Sequence, residues 1–272
     1  MTIFQSIILG IIQGATEFLP ISSSGHLVLV PFLFGWDIPP GEAFVFDVLV
    51  QVATLIAVFA YFRRDLLAII RAFIAGIRQR DPFGSLEARL GWLILLATLP
   101  AGVLGFVFKD LVESAFNSPS VTAFFMLITA GMLIIAERLE KRALPLKQLN
   151  WKDALVIGFF QALAVFPGLS RSGSTITGGM ARQLDRPEAA RFSFLIAIPI
   201  MLAAGALATV DLLKIPDVLS LLPTFLPGFL ASAVVGYISI RWLLGYLVHH
   251  RLYIFSIYLT VIALLTLAIT WF

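Results

Sequence analysis

The 272-residue chain has no cysteine, and only 13% of its residues are Asp, Glu, Lys or Arg. Lack of cysteine excludes disulfides and thiol catalysis. Scarcity of charge argues against a water-soluble domain, which would carry about a quarter charged residues. What fills the chain instead is apolar: 60% of residues are hydrophobic and mean hydropathy is +0.98. That much apolar surface must face lipid or another apolar helix. The net charge of +3 does not point to a nucleic-acid partner, because the basic residues cluster in short connections, as in cytoplasmic membrane loops. The N-terminus turns apolar at once, with no basic stretch and no small-residue cleavage site, and reads as mature structure.

Apolar segments fall at 3–19, 21–35, 44–62, 90–108, 120–138, 153–166, 172–184, 190–210, 223–247 and 252–271. Crossing the hydrocarbon core takes about 20 apolar residues. Six segments reach or approach that length. The other four form two pairs, 3–19 with 21–35 and 153–166 with 172–184, each broken by Pro, Gly and Ser. Non-helical backbone at membrane depth survives only where protein or a wet cavity covers it. The expected fold is therefore an all-α polytopic membrane protein, with six transmembrane helices plus two re-entrant helix pairs. The connections 63–80, 138–152 and 248–251 are basic, whereas 35–43, 109–119 and 211–222 are acidic or nearly neutral. Placing the basic ones in the cytoplasm puts both termini outside, with the first pair entering from the outer side and the second from the cytoplasm.

The chain repeats itself. At a constant offset of 148, Gly10 meets Gly158, Gln13 meets Gln161, Phe18 meets Phe166, Ser22 meets Ser170, Ser24 meets Ser172 and Gly25 meets Gly173. Phe44 with Phe192 and Phe46 with Phe194 continue the match. The expected organisation is a single membrane domain of two inverted halves: 1–138, holding the pair at about 3–35, and 139–272, holding the pair at about 153–184. In such repeats broken helices supply a site near the bilayer midplane. The mismatches carry the asymmetry: Glu17 becomes Val165, Ser23 becomes Arg171, and His26 becomes Ser174.

Glu17 within an apolar segment is costly, by roughly 2.5–3.5 kcal/mol for a central acid, and needs a partner. Gln13 lies one turn away on the same face. The stretch Pro20-Ile21-Ser22-Ser23-Ser24-Gly25-His26 restarts a helix, where serines cap free N–H groups and the helix start favours anions. Pro167 to Gly173 repeats this with Arg171, whose planar fork matches phosphate oxygens. Together the parts suggest a phosphate site. Glu17 would hold a divalent cation, Ser23 would attack or bind phosphorus, His26 would move protons, and Arg171 would stabilise the transferred phosphoryl group. Ser23, His26 and a metal-bound water all remain candidates for the nucleophile. Asp47 and Gln51 form another polar pair at helical spacing, either behind the site or lining a wet cavity.

These residues resemble the undecaprenyl-diphosphate phosphatase family, also called the bacitracin-resistance protein (BacA/UppP) family. Its first motif is matched by Gln13-Gly14-Ala15-Thr16-Glu17 and Pro20 to His26, and its second by Pro167 to Thr175. Gln13 stands where some members have Glu, which leaves Glu17 most of the metal binding. The resemblance implies removal of the terminal phosphate from undecaprenyl diphosphate, yielding the lipid carrier for peptidoglycan synthesis, and bacitracin resistance on overproduction. It implies catalytic Glu17, Ser23, His26 and Arg171; phosphate-binding Ser22, Ser24, Ser170, Arg171, Ser172 and Thr175; and Mg2+ or Ca2+ at Glu17 and Gln13. It also implies a homodimer in the bacterial cytoplasmic (inner) membrane, with its site open to the periplasmic or outer side. The alternative is a transporter or flippase of polyprenyl phosphate lipids, since inverted repeats and broken helices suit transport as well.

Overall fold

The structure is a computed structural model that describes residues 1–108, 118–139, 144–212 and 218–271. Most of the expected neutral connection 109–119, part of 211–222 and part of the basic connection 138–152 lie outside the described residues, as does Phe272. The described residues form ten α-helices: α1 (Ile3–Phe18), α2 (Ser23–Phe34), α3 (Pro40–Arg78), α4 (Leu86–Val107), α5 (Pro119–Leu139), α6 (Trp151–Leu163), α7 (Arg171–Ala181), α8 (Arg186–Leu212), α9 (Val218–His249) and α10 (Tyr253–Trp271). Six of them, α3, α4, α5, α8, α9 and α10, are long and apolar enough to cross a membrane. The four short helices are α1, α2, α6 and α7, the segments that Pro, Gly and Ser interrupt.

One expected connection is not a loop. The segment 63–80 reads in sequence as a link between two spans, but α3 runs unbroken to Arg78 over 39 residues. At 1.5 Å per residue that is about 58 Å, well beyond a hydrocarbon core of about 30 Å. The stretch from Asp65 to Ala75 contains neither Pro nor Gly, so nothing stops the helix. Arg63, Arg64, Arg71 and Arg78 lie on its exposed surface. Its other side stays packed: Ile69 is buried, the Phe73 ring meets Trp92 of α4 at 4.8 Å, and Asp65 pairs with Arg191 of α8 at 2.9 Å.

The repeat is visible in where helices begin. α1 and α6 start 148 residues apart, as do α2 and α7. Packing is reciprocal between the halves: α1 lies on α9 and α6 on α4, so the first helix of each half meets the fourth of the other, while α5 meets α10. Small residues allow this close approach, which van der Waals packing drives in lipid. A side chain at Gly10 would run into the Gly228 carbonyl, and one at Gly158 would lie 2.6 Å from the Ala97 carbonyl oxygen. Glu137 then ties three helices. Its fully buried carboxylate accepts two bonds from Arg186 (2.8 and 2.7 Å) and one from the Leu252 backbone N–H (2.8 Å). Removing one partner of such a buried pair leaves the other charge uncompensated. Glu137→Ala is therefore expected to destabilise the fold by about 3–5 kcal/mol, measurable as a lower thermal midpoint in detergent.

Candidate active site between the two loops

α1 ends at Phe18 because Pro20 follows: Leu19 is extended, at φ −65° and ψ 144°, the conformation a residue before proline prefers. The chain re-enters a helix at Ser23. Ser22 caps it, accepting from Gly25 N–H at 3.2 Å, and does so with a left-handed φ of +68°. The second loop builds the same cap. Ser170 Oγ accepts from Gly173 N–H at 3.0 Å, but with an ordinary φ of −62°. The adjacent hydroxyls pair alike, Ser22 with Ser24 at 3.3 Å and Ser170 with Ser172 at 3.1 Å. Gly168 (φ +92°) makes the turn, where any side chain would strike the Thr122 carbonyl. Thr129 of α5 anchors that turn from outside, with its Oγ1 3.0 Å from Gly168 O and accepting from Ser170 N–H at 3.1 Å.

The loops meet. Glu17 Oε1 accepts from Arg171 Nη2 at 2.6 Å, while Oε2 accepts from Ser23 Oγ at 2.5 Å and from Gln13 Nε2 at 3.0 Å. Both charged side chains are mostly buried, at 10% and 15% exposure. A cavity of about 330 Å³ opens beside them, lined on its polar side by Glu17, Ser22, Ser23, Ser24, Ser170 and Arg171 and by the amides of Gln51 and Gln161. Ala101, Gly105, Val165, Leu169 and Ile200 are among its apolar lining. Val165, the counterpart of Glu17, thus faces the same space as an apolar wall. Arg171 keeps Nη1 buried with no partner among the described residues, and so do the Oε1 atoms of Gln13 and Gln161. A buried donor without a partner is costly, by about 1–3 kcal/mol, and an incoming phosphate oxygen would satisfy Nη1.

Three expected site residues lie elsewhere. Ser172 Oγ donates to the Leu19 carbonyl at 2.9 Å, joining loop to loop. Thr175 is buried, bonded to the Arg171 carbonyl at 2.7 Å and to Ser193 Oγ at 2.6 Å. His26 faces α10, with both ring nitrogens engaged: Nδ1 is 2.7 Å from the Ser22 carbonyl oxygen and Nε2 is 2.7 Å from the Tyr258 hydroxyl. None of the three lines the cavity. Asp47 does not line it either, although Gln51, one turn further along α3, does. Tyr258 and Thr129 carry no local sequence signal, since each is an uncharged residue within an apolar span that belongs to neither motif.

The carboxylate and hydroxyl oxygens on the cavity wall are of the kind that suits a hard divalent cation. Among the described residues no three His, Cys, Asp or Glu side chains gather in one place. Glu17 on the cavity wall, and Gln13 bonded to it with Oε1 unpartnered, are the residues that would hold such an ion.

Over residues 6–265 the sequence matches the family described as Bacitracin resistance protein BacA. The chain belongs to that family. Among its relatives, the undecaprenyl-diphosphatase of Chloroherpeton thalassium is 44% identical over 98% of this chain and 96% of its own length. That of Myxococcus xanthus is 39% identical over 99% of this chain and 89% of its own. That of Methanosphaera stadtmanae is 40% identical over 99% of both. In this BacA-family chain both motif-bearing loops fall on the wall of the one cavity described above.

Proposed function

We propose that the chain hydrolyses undecaprenyl diphosphate to undecaprenyl phosphate and inorganic phosphate. Membership in the BacA family and the names of its relatives support the activity. The observation that carries the chemistry is the triple contact at Glu17: an Arg from one half, and a Ser and a Gln from the other, converge on one carboxylate. Ser23 Oγ–H already donates to Glu17 Oε2, so this carboxylate is placed to take the proton as Oγ attacks the terminal phosphorus. The Ser23–phosphorus bond forms, the anhydride bond breaks, and undecaprenyl phosphate leaves with the proton that Glu17 took. In a second step the freed carboxylate takes a proton from water as the water attacks phosphorus; the Ser23–phosphorus bond breaks, that proton passes to Ser23 Oγ, and inorganic phosphate is released. Arg171 Nη1 and the hydroxyls of Ser22, Ser24 and Ser170 bind the phosphate oxygens and stabilise charge in the transition state. A divalent ion bound by Glu17 and Gln13 would neutralise charge on the diphosphate.

The apolar spans suit a substrate whose polyprenyl tail stays in lipid while its head enters a polar cavity. We place the protein in the bacterial cytoplasmic membrane as a homodimer, with α1–α2 and α6–α7 re-entrant from opposite sides and the cavity open outward. The basic connections and the inverted repeat support this arrangement. Purified protein in detergent is expected to release phosphate from undecaprenyl diphosphate, and EDTA is expected to remove at least about 90% of that rate, restored by Mg2+ or Ca2+. Detergent abolishes any gradient, so a translocator that only binds the lipid would release none. Full turnover after chelation would remove the cation from the scheme.

A further inference from the structure

His26 raises a question that its place in the motif does not answer. A backbone carbonyl only accepts, so the 2.7 Å contact with the Ser22 carbonyl requires a proton on Nδ1. In a neutral imidazole Nε2 must then accept, and the hydroxyl 2.7 Å from it belongs to Tyr258. The two rings lie nearly parallel, 4° apart with centroids separated by 5.6 Å. Tyr258 sits on α10, in the other half of the molecule. Its ring is 40% exposed at the protein surface, whereas His26 behind it is 5% exposed.

The repeat supplies an internal comparison. Ser22 holds a left-handed φ of +68°, which is unfavourable for a residue with a side chain. Its counterpart Ser170 is relaxed at −62°. The Ser22 carbonyl receives two donors, His26 N–H at 3.2 Å and His26 Nδ1 at 2.7 Å. The Ser170 carbonyl receives the equivalent backbone donor, Ser174 N–H at 2.8 Å. Ser174, where His26 would fall, leaves its hydroxyl buried without a partner among the described residues. The imidazole is thus present in the half whose loop is strained, and it bonds the strained peptide. The next residue after that peptide is Ser23, whose hydroxyl meets Glu17 at 2.5 Å.

We propose that Tyr258 is a positioning residue for the phosphatase reaction. Its hydroxyl holds His26 in the Nδ1–H form, His26 braces the strained Ser22, and Ser22 aims the Ser23 hydroxyl at Glu17. His26 then acts through the loop rather than on the substrate. The inference rests on the phosphatase reading above.

Nitrogen NMR of the full-length protein in detergent tests it, in a His249→Gln/His250→Gln background that leaves His26 as the single histidine. The expected spectrum shows a protonated Nδ1 and a hydrogen-bond-accepting Nε2. Tyr258→Phe keeps the ring and loses the hydroxyl. It is expected to mix in the Nε2–H form and to lower kcat roughly ten- to a hundredfold, as small misplacements of reacting groups do, with KM for undecaprenyl diphosphate changed less than about twofold. A native Nε2–H form overturns the proposal. So does a Tyr258→Phe variant that changes only the tautomer, only kcat, or neither. Should that variant not fold, the native spectrum decides alone. Failure of the phosphatase reading looks different: the native protein would release no phosphate, while the tautomer measurement would stand untouched.

Discussion

Replacing Ser23 by alanine is expected to lower kcat on undecaprenyl diphosphate by on the order of 10⁴- to 10⁶-fold, the range seen when a nucleophile is removed. Proximity makes this the largest expected effect. Ser23 Oγ lies 2.5 Å from Glu17 Oε2, so the proposed nucleophile and base are already in contact. The substitution also removes one of the two hydrogen bonds that Oε2 accepts, leaving Gln13 alone on that oxygen. Rapid acid quenching of the native protein with labelled substrate is expected to trap phosphate on serine, and Ser23→Ala is expected to trap none. A Ser23→Ala variant that kept turnover within about tenfold of native would reduce Ser23 to a phosphate contact and make water the attacking group.

Arg171→Ala is expected to lower kcat about a thousandfold, in line with losing a guanidinium or an oxyanion donor from a phosphoryl-transfer site. Two physical effects combine here. The buried, unpartnered Nη1 proposed to bind a phosphate oxygen disappears, and Glu17 loses the cation 2.6 Å from Oε1. The second effect disturbs the carboxylate that Ser23 depends on. Arg171→Lys separates the two, since lysine keeps the charge but lacks the fork; it is expected to recover part of the loss. Thermal unfolding of both variants in detergent distinguishes lost chemistry from a lost inter-half contact. Turnover of Arg171→Ala within tenfold of native, in a folded protein, would remove Arg171 from the catalytic scheme.

The six spans are legible in the sequence because hydrocarbon demands long apolar runs, and a 39-residue helix satisfies that demand as well as a 20-residue one. The overrun of α3 is less legible. Arg63, Arg64, Arg71 and Arg78 read as a break in hydropathy, although a helix simply continues with its arginines turned outward. The two loops are legible as partners because their capping serines recur at one offset, and capping geometry is local. Which hydroxyls face the cavity is not. Ser170, Ser172 and Thr175 look alike in sequence, yet α7 turns Ser172 toward the Leu19 carbonyl and Thr175 toward Ser193. The environment of His26 is hidden for a different reason. Its partner lies 232 residues away in sequence, on an apolar helix where nothing sets Tyr258 apart from Tyr253.

The contact between Glu17 and Arg171 has a consequence for symmetry. In the repeat Glu17 corresponds to Val165 and Arg171 to Ser23, so two copies of the first loop would set Glu against Ser, and two copies of the second would set Val against Arg. Either symmetric molecule would bury a charged side chain at its centre without a counter-charge, which is costly. The two halves form the ion pair because one donates the anion and the other the cation. One chain therefore holds two copies of the architecture but a single reaction centre, and neither half by itself contains it.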